Sequence, residues 1–433
     1  SHRERLAKWA RRHPKILTVM ATVALLLVVL GGYGGWRDLR RLSLAENLLA
    51  EADVAEDARD SRQSAHTLLA AQNAINHQNT VIPERFTATR RDALNKQLAA
   101  LATRVARSEL RRFEQLADVE RRAVLGRSSA KGLSQLDADP LGIYRVLDRH
   151  DWEQLPYYRL LDIAGRARVD DDITELLVSR VVAMEENGNP DSATDDHVAS
   201  AMLDMLARVP AIYRESPVIK LLCSQARYQH PGRVDTAKFV DVAESELDYY
   251  LAGVIAAQRG QFTTAIECLE TAMKLRPEDK PPRFWARFLH AHCCERVQRD
   301  EEAIADYGIC IGLRGDFAWP YHNLGLIYTK RGRYALAAKN LQEAVRLDPN
   351  LADAYANLGV AQFQMGQFSD ALRSFDRAID RGFETADVYS NRAAAREALG
   401  DYQGARGDLE HALKLDPDSE AARRNLKKLD ENR

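Results

Sequence analysis

The stretch that decides the fold is 318–351, AWPYHNLGLIYTKRGRYALAAKNLQEAVRLDPNL. Its apolar residues recur at the spacing of one helix face, first over 321–328 and then over 337–347. Between them Gly332 suits the left-handed conformation that ends a helix, and Pro349 cannot continue the second helix. The stretch therefore predicts a helix–turn–helix unit in which small residues let the two helices approach closely.

The same frame recurs four more times, so that the five copies cover residues 246–279, 284–317, 318–351, 352–385 and 386–419. The copy at 284–317 departs from it, with His290, Gln298 and Gly315 where its neighbours carry Leu, Gly and Pro. The period and pattern resemble the tetratricopeptide repeat (TPR). The resemblance implies a right-handed solenoid of paired helices over 246–419, with residues 420–433 as a capping helix. We expect an all-α chain.

The net charge of −2 hides an uneven distribution. Residues 1–41 carry nine Lys or Arg and two acidic side chains, whereas the rest of the chain is acidic overall. The basic part flanks the long apolar run of the sequence. This arrangement indicates a membrane, and not a nucleic acid, as the partner of the basic segment.

The apolar run covers residues 16–36, ILTVMATVALLLVVLGGYGGW, and contains no charged residue. As a helix it has the length that crosses the roughly 30 Å hydrocarbon core of a bilayer. A cleaved signal peptide is the alternative, but the basic flank at 1–15 is long and no A-x-A cleavage site follows the run. Positive charge is denser before the span than after it. The sequence thus predicts a single-pass transmembrane helix with a cytoplasmic juxtamembrane segment and the repeats outside.

Two helical regions separate the span from the repeats. Residues 37–125 predict a helical stalk or hairpin, in which Leu94, Leu98, Leu101 and Val105 follow a short heptad-like spacing. A hairpin within one chain is the favoured interpretation, and a homo-oligomer through the stalk is the alternative. Residues 126–245 are helical by pattern. Degenerate TPR-like repeats are the favoured interpretation there, and a separate helical fold is the alternative.

No catalytic, cofactor or metal-binding motif is recognisable in the sequence, which therefore predicts neither an enzyme nor a cofactor for these residues. The sequence His290-Ala-His292-Cys293-Cys294 deserves separate consideration. On a helix only His290 and Cys294 share a face, and zinc needs three or four ligands. We therefore interpret His290 and Cys294 as core residues.

The resemblance to tetratricopeptide proteins also implies a binding site, because in that family the first helices line a concave groove for extended peptides or partner helices. The positions that would face this groove are occupied by Tyr250, Trp285, Phe288, His292, Arg296, Trp319, His322, Lys330, Phe363 and Gln364. Trp285, Phe288 and Trp319 are large for exposed positions and are of the types that anchor partners. The alternative is that they pack against the insertion at 280–283.

The sequence RERLAKWARRHPK, which runs straight into the apolar span, resembles the junction in large bacterial membrane serine/threonine kinases. In that family the segment links a cytoplasmic kinase domain to a single span, and tetratricopeptide repeats follow outside. The resemblance implies a kinase domain before Ser1, in the bacterial cell membrane. A free-standing membrane-tethered TPR adaptor with no kinase in its gene is the alternative.

Overall fold

The computed structural model describes residues 40–55, 61–75, 84–124, 146, 153, 156–159, 161–187, 195–228, 236–278 and 282–431. The predicted span at 16–36 and its basic flank lie outside these residues. Among the residues described, no helix is both long and apolar enough to cross a bilayer. The described chain consists of helices and turns without a strand, which confirms the all-α prediction.

The chain forms two compact units, Ser1–Glu215 with Ala226–Gln229, and Ser216–Gln225 with His230–Arg433. In the N-terminal unit the described helices are α1 (40–55), α2 (Ser61–Ile75), α3 (Glu84–Val124), α4 (Pro156–Arg159), α5 (Ile163–Asn187) and α6 (Asp195–Leu206), followed by a 3₁₀ turn at Ala211–Tyr213. Helix α7 (Pro217–Tyr228) contains the boundary between the units.

In the N-terminal unit, α2 and α5 both pack against the long helix α3. Arg121 of α3 is buried and donates hydrogen bonds to Glu175 and Asp172 of α5. Leu94 and Val105, from the heptad-like set, are buried within the single chain. Self-association through the heptad-like set needs an exposed apolar face. These two residues do not contribute to such a face, because they are buried.

After α7, the C-terminal unit continues with α8 (Thr236–Val242). Five helix pairs and a last helix follow: α9 (Glu246–Gln258), α10 (Phe262–Leu275), α11 (Phe284–Arg296), α12 (Asp300–Leu313), α13 (Ala318–Lys330), α14 (Tyr334–Leu347), α15 (Ala352–Gln364), α16 (Phe368–Asp380), α17 (Ala386–Ala398), α18 (Tyr402–Leu415) and α19 (Glu420–Glu431). We number the five pairs, α9 to α18, as repeats 1 to 5.

Small residues set the distance between the two helices of a pair. A Cβ added to Gly325 would lie 2.5 Å from Leu341, and one added to Gly359 would lie 2.6 Å from the Phe375 ring. Such separations are shorter than carbon atoms tolerate, so these mid-helix glycines permit an approach that alanine would block. The glycine at the turn has a different role, because Gly332 adopts a φ of 68° that ends α13.

The pairs stack in chain order. Each second helix packs against the first helix of the next repeat, as α10 does against α11 and α16 against α17. First helices of neighbouring repeats also contact each other, for example α13 with α15. This stacking builds the predicted solenoid and brings the first helices together along one surface, which we call the inner surface.

Candidate functional site

The inner surface is the candidate site for binding a partner, because it carries the residues predicted to line the groove. These residues come from the first helices α9, α11, α13 and α15. Their positions in the structure divide them into a buried group and an exposed group.

The expected exposed aromatic patch is not present, and this part of the prediction is wrong. Trp285 is only 8% exposed, Phe288 1% and Trp319 3%. The rings of Phe284 and Phe317 close over Trp285 and Phe288, with centroids 5.3–6.3 Å apart. Three of these aromatic residues lie at the start of α11 and Phe317 lies just before α13, so they form a cluster within repeat 2, next to its boundary with repeat 3.

The three remaining ring-bearing candidates on α9, α11 and α13 are buried as well. Tyr250 lies beneath the Arg283 guanidinium, 4.6 Å from the ring centroid. His292 packs edge-on against Phe262, with ring centroids 6.3 Å apart. The expectation that these two rings face the groove is therefore also corrected.

His322 is likewise not exposed on the inner surface. It is buried, packs edge-on against Trp319, and its Nε2 lies 3.4 Å from Asp353 Oδ2 on the next first helix. The rings of the inner surface thus pack within a repeat or against a neighbouring repeat. They are core contacts and not exposed anchors for a ligand.

The exposed candidates form a polar strip at the C-terminal ends of three consecutive first helices. Arg296, Lys330 and Gln364 are exposed, and Phe363 is half-buried beside them. Each of the three polar residues is the thirteenth residue of its repeat, so the solenoid places them in a row. We call Arg296, Lys330 and Gln364 the inner strip.

Two local contacts orient the inner strip. The Arg296 guanidinium lies over the Phe262 ring at 5.0 Å from the centroid, and Lys330 Nζ lies 3.6 Å from Glu295 Oε1. Glu295 in turn accepts a hydrogen bond from the Tyr307 hydroxyl. Both cationic groups keep access to solvent and can pair with an anionic ligand.

A second cluster lies where repeats 1 and 2 join. His290 and Cys294 are buried on α11, as the sequence interpretation expects. His290 Nδ1 lies 2.5 Å from Asp306 Oδ2, and its Nε2 lies 3.6 Å from Glu270 Oε1 on α10. The imidazole therefore bridges two carboxylates that belong to two different repeats.

The charge of this cluster follows from its surroundings. Burial lowers the pKa of His290, but the hydrogen bonds that its imidazole makes with Asp306 and Cys294, together with electrostatic attraction by the same groups, outweigh burial and raise the pKa to about 10. For the neighbouring thiol of Cys293 burial dominates, and it raises the pKa to about 12. His290 is therefore positively charged at neutral pH. The neighbouring Cys293 thiol is fully buried and stays protonated.

The sequence interpretation missed Glu270, Glu302 and Asp306, which the fold brings to His290 and Cys294. The sequence does contain a signal for Asp306. Asp306 and Asp408 are both the twenty-third residue of their repeats, and both follow a basic residue at the seventh position. Aligning the five copies for charge as well as for apolar residues would have pointed to Asp306.

Comparison with known families agrees with the fold. Models described as tetratricopeptide repeat match residues 249–279, 352–381 and 386–419, and one described as TPR repeat matches 325–366. None of these four segments includes residues 284–317, the irregular repeat 2. No curated protein matches the chain.

Solved structures of repeat proteins are also similar. A MamA structure (AMB-1) shares 20% identity at a TM-score of 0.36, covering 43% of this chain and 95% of that one. YrrB, described as a TPR protein with an unusual peptide-binding site, shares 18% at 0.38, covering 45% and 98%. The first TPR domain of human RPAP3 shares 28% at 0.26, covering 27% and 91%.

The stacked helix pairs and the family matches first define the class of protein. The C-terminal unit is an all-α solenoid of the kind that serves as a protein-interaction module. More particularly, the chain contains tetratricopeptide repeats, which confirms the interpretation of the 34-residue frame.

Proposed function

We propose that the chain is a membrane-anchored TPR interaction module, the non-catalytic C-terminal part of a bacterial serine/threonine protein kinase, in which the inner strip binds an acidic segment of a partner protein. The observation that carries the binding proposal is the row of Arg296, Lys330 and Gln364 along three consecutive first helices. The C-terminal unit serves as a sensor or scaffold arm, and chemistry belongs to the kinase domain of the whole protein.

The chemistry of the strip selects the ligand. Arg296 and Lys330 provide two exposed cations, one of them a planar guanidinium suited to carboxylates, and Gln364 adds an amide donor and acceptor. The half-buried Phe363 offers a small apolar contact beside them. An extended peptide with acidic residues and one apolar side chain matches these groups. The buried aromatic residues belong to the core of the repeats and do not contact the peptide.

Peptide binding to the full chain tests the proposal. An array of extended peptides that differ only in acidic content, measured by fluorescence polarisation, should favour the acidic members. Exposed charge pairs are worth up to about 1 kcal/mol each. Arg296→Ala combined with Lys330→Ala should therefore weaken acidic-peptide binding about three- to tenfold and reduce its dependence on salt.

A matched pair on a second helix serves as the control. Lys339 and Arg346 are exposed on α14, away from the strip. Lys339→Ala with Arg346→Ala removes the same charge and should leave peptide affinity unchanged. Equal losses in the two double variants would mean that net charge, and not the inner strip, attracts the peptide.

The membrane part of the proposal rests on residues 16–36 and their basic flank. A tagged chain should stay with membranes after carbonate washing, and added protease should digest the repeats only from the non-cytoplasmic side. A soluble product that begins near Arg37 would contradict the anchor, and digestion from the cytoplasmic side would reverse the orientation.

The kinase part rests on the junction sequence that precedes the span. The reading frame upstream of Ser1 should encode the catalytic motifs of a serine/threonine kinase within roughly 300 residues. An upstream frame without those motifs would favour the alternative, a free-standing membrane-tethered TPR adaptor. The inner strip would bind its peptide in either case, so this test is independent of the peptide test.

A further inference from the structure

We propose that the joint between repeats 1 and 2 is a zinc site, with His290, Cys294 and Glu302 as ligands. His290 and Cys294 lie on α11 and Glu302 lies on α12, so a bound ion would connect the two helices of repeat 2. Glu270, on α10 of repeat 1, is a neighbouring carboxylate, with its Oε1 3.6 Å from His290 Nε2.

The geometry brings three donor types together. One ligand atom from each of His290, Cys294 and Glu302 lies within 4.8 Å of the others. His290 and Cys294 are separated by one helical turn on α11, which places both side chains on the same face. Imidazole, thiolate and carboxylate are all donors that zinc accepts.

The orientation of the imidazole fits a ligand that uses Nε2. Its Nδ1 is engaged by Asp306 Oδ2 at 2.5 Å, which leaves Nε2 directed at Glu270 Oε1, 3.6 Å away. A carboxylate behind the histidine is the usual outer partner of a metal-bound imidazole, because it fixes the ring and the tautomer. Asp306 occupies that place.

The thiol has to rotate toward Nε2. Cys294 Sγ lies 3.7 Å from His290 Nδ1 and 3.9 Å from Nε2, so it is nearly equidistant from the two ring nitrogens. In tetrahedral zinc sites, with bonds of about 2.0 Å to nitrogen and about 2.3 Å to sulfur, a bound nitrogen and sulfur lie about 3.5 Å apart. Rotation of the Cys294 side chain to the Nε2 side of the ring brings the sulfur to the ion.

In the metal-free chain, Arg299 supplies the positive charge that contacts the carboxylates of Glu302 and Glu270. Its guanidinium donates a hydrogen bond from Nε to Glu302 Oε1 at 2.7 Å, and its Nη2 lies 3.7 Å from Glu270 Oε1. The Arg299 side chain is 41% exposed and directly precedes α12, so it can swing into solvent when an ion enters. The two glutamates are thus already arranged around a positive charge.

Cobalt and zinc, added alone to the metal-free full chain, test the proposal. Co²⁺ should bind one to one, giving visible absorption typical of tetrahedral cobalt and a near-ultraviolet thiolate-to-cobalt band. Zn²⁺ should displace it and raise the melting temperature of the chain, because it binds only the folded state.

Matched variants identify the ligands. Cys294→Ser should abolish the thiolate band, whereas Cys293→Ser, at the adjacent buried thiol, should keep it. Glu302→Gln, at an exposed side chain that cannot disturb the core, should weaken binding about tenfold or more, and Glu301→Gln beside it should not. Arg299→Gln should tighten binding about fivefold or more, because it removes the competing positive charge.

Two results would overturn the zinc site. One is the absence of a thiolate band in a chain that circular dichroism shows to be folded. The other is a band that survives Cys294→Ser, or an affinity that neither Glu302→Gln nor Arg299→Gln changes. A purely structural His290–Asp306 pair predicts the first result, and a thiolate site elsewhere in the chain predicts a band that survives Cys294→Ser.

Discussion

Repeats 2 and 5 build the same buried pair from different residues. The seventh residue of the repeat is His290 in one and Arg392 in the other, and the twenty-third is Asp306 or Asp408. His290 Nδ1 lies 2.5 Å from Asp306, and Arg392 makes two hydrogen bonds with Asp408, of 2.9 and 2.6 Å. Both pairs lie at the contact between the two helices of their repeat.

The likeness extends to the preceding repeat. An acid at its twenty-fifth position, Glu270 or Asp376, faces the same base, at 3.6 Å from His290 Nε2 and 2.8 Å from Arg392 Nη1. Each joint is therefore an acid–base–acid bridge that ties three helices together. The solenoid uses this bridge at two of its four joints.

The difference lies in what the basic group can do. At the joint of repeats 4 and 5 a second guanidinium, Arg396, also pairs with Asp408, and it occupies the position of Cys294 in repeat 2. Guanidinium groups only donate hydrogen bonds and keep their charge. Imidazole and thiol can lose a proton and bind a metal. The same two repeat positions thus carry permanently charged groups in repeat 5 and groups that can change their protonation state in repeat 2.

Repeats 3 and 4 show that the fold does not need the bridge. They carry Leu324 and Leu358 at the seventh position, and Asn340 and Ser374 at the twenty-third. The Ser374 hydroxyl hydrogen-bonds with Gln362 instead. The buried charges in repeats 2 and 5 are therefore additions to the repeat, and the following substitutions separate their contribution from that of the shared packing.

The largest effect is expected when the fixed ion pair is broken from one side. Asp408→Ala leaves Arg392 and Arg396 without their shared buried carboxylate, and removing one partner of a buried pair typically costs about 3–5 kcal/mol. Urea unfolding of the full chain, followed by circular dichroism, measures this loss. Asp306→Ala, in metal-free buffer, should cost less because His290 can become neutral and Arg392 cannot.

Replacing Asp408 together with Arg392, the more buried of its two arginine partners, provides the control for that prediction. Arg392→Leu with Asp408→Ser copies the residues of repeat 4 into repeat 5, and exchanging a buried ion pair for packed neutral residues is often neutral or stabilising. We expect the double variant to be more stable than Asp408→Ala by at least about 2 kcal/mol. If the two variants were equally unstable, the ion pair itself would be required in repeat 5.

The sequence predicted which residues pack between the helices better than it predicted which residues are exposed on the inner surface. The alanine at the twentieth position of each repeat, such as Ala303 or Ala337, is fully buried because helical spacing alone determines which face meets the partner helix. The burial of Trp285 was not predictable from that spacing. It depends on Phe284 and Phe317, the first and last residues of repeat 2. The contact with Phe317 joins residues far apart in the sequence, so it arises only when the whole repeat has folded.

A smaller effect is expected at the position that all five repeats share. Ala303→Leu in repeat 2 and Ala405→Leu in repeat 5 both add three carbons to a fully buried contact, so each should cost about 1–3 kcal/mol. Ala305→Leu makes the same change at an exposed site two residues along α12 and should cost little. Thermal unfolding compares the three variants, and equal losses at 303 and 305 would show that the helix register is wrong.

The smallest effect concerns the turn between the two helices of a repeat. Gln298 has a φ of 65° in repeat 2, and Gly400 has a φ of 84° at the same position in repeat 5. Both turns close with the same pair of backbone hydrogen bonds, from Gln298 to Glu295 and Arg299 to Cys294 in one, and from Gly400 to Glu397 and Asp401 to Arg396 in the other.

Because a side chain with a Cβ strains this left-handed conformation by about 1–2 kcal/mol, Gln298→Gly should relieve it. Glycine also gains freedom in the unfolded chain, which offsets about 0.4–1 kcal/mol of the benefit. We therefore expect Gln298→Gly to stabilise the chain by about 0.5–1 kcal/mol, and Gly400→Gln to destabilise it by a similar amount. Urea midpoints of the two variants measure both changes. A loss of stability in Gln298→Gly would mean that the glutamine side chain stabilises the folded chain by more than the strain of the turn costs.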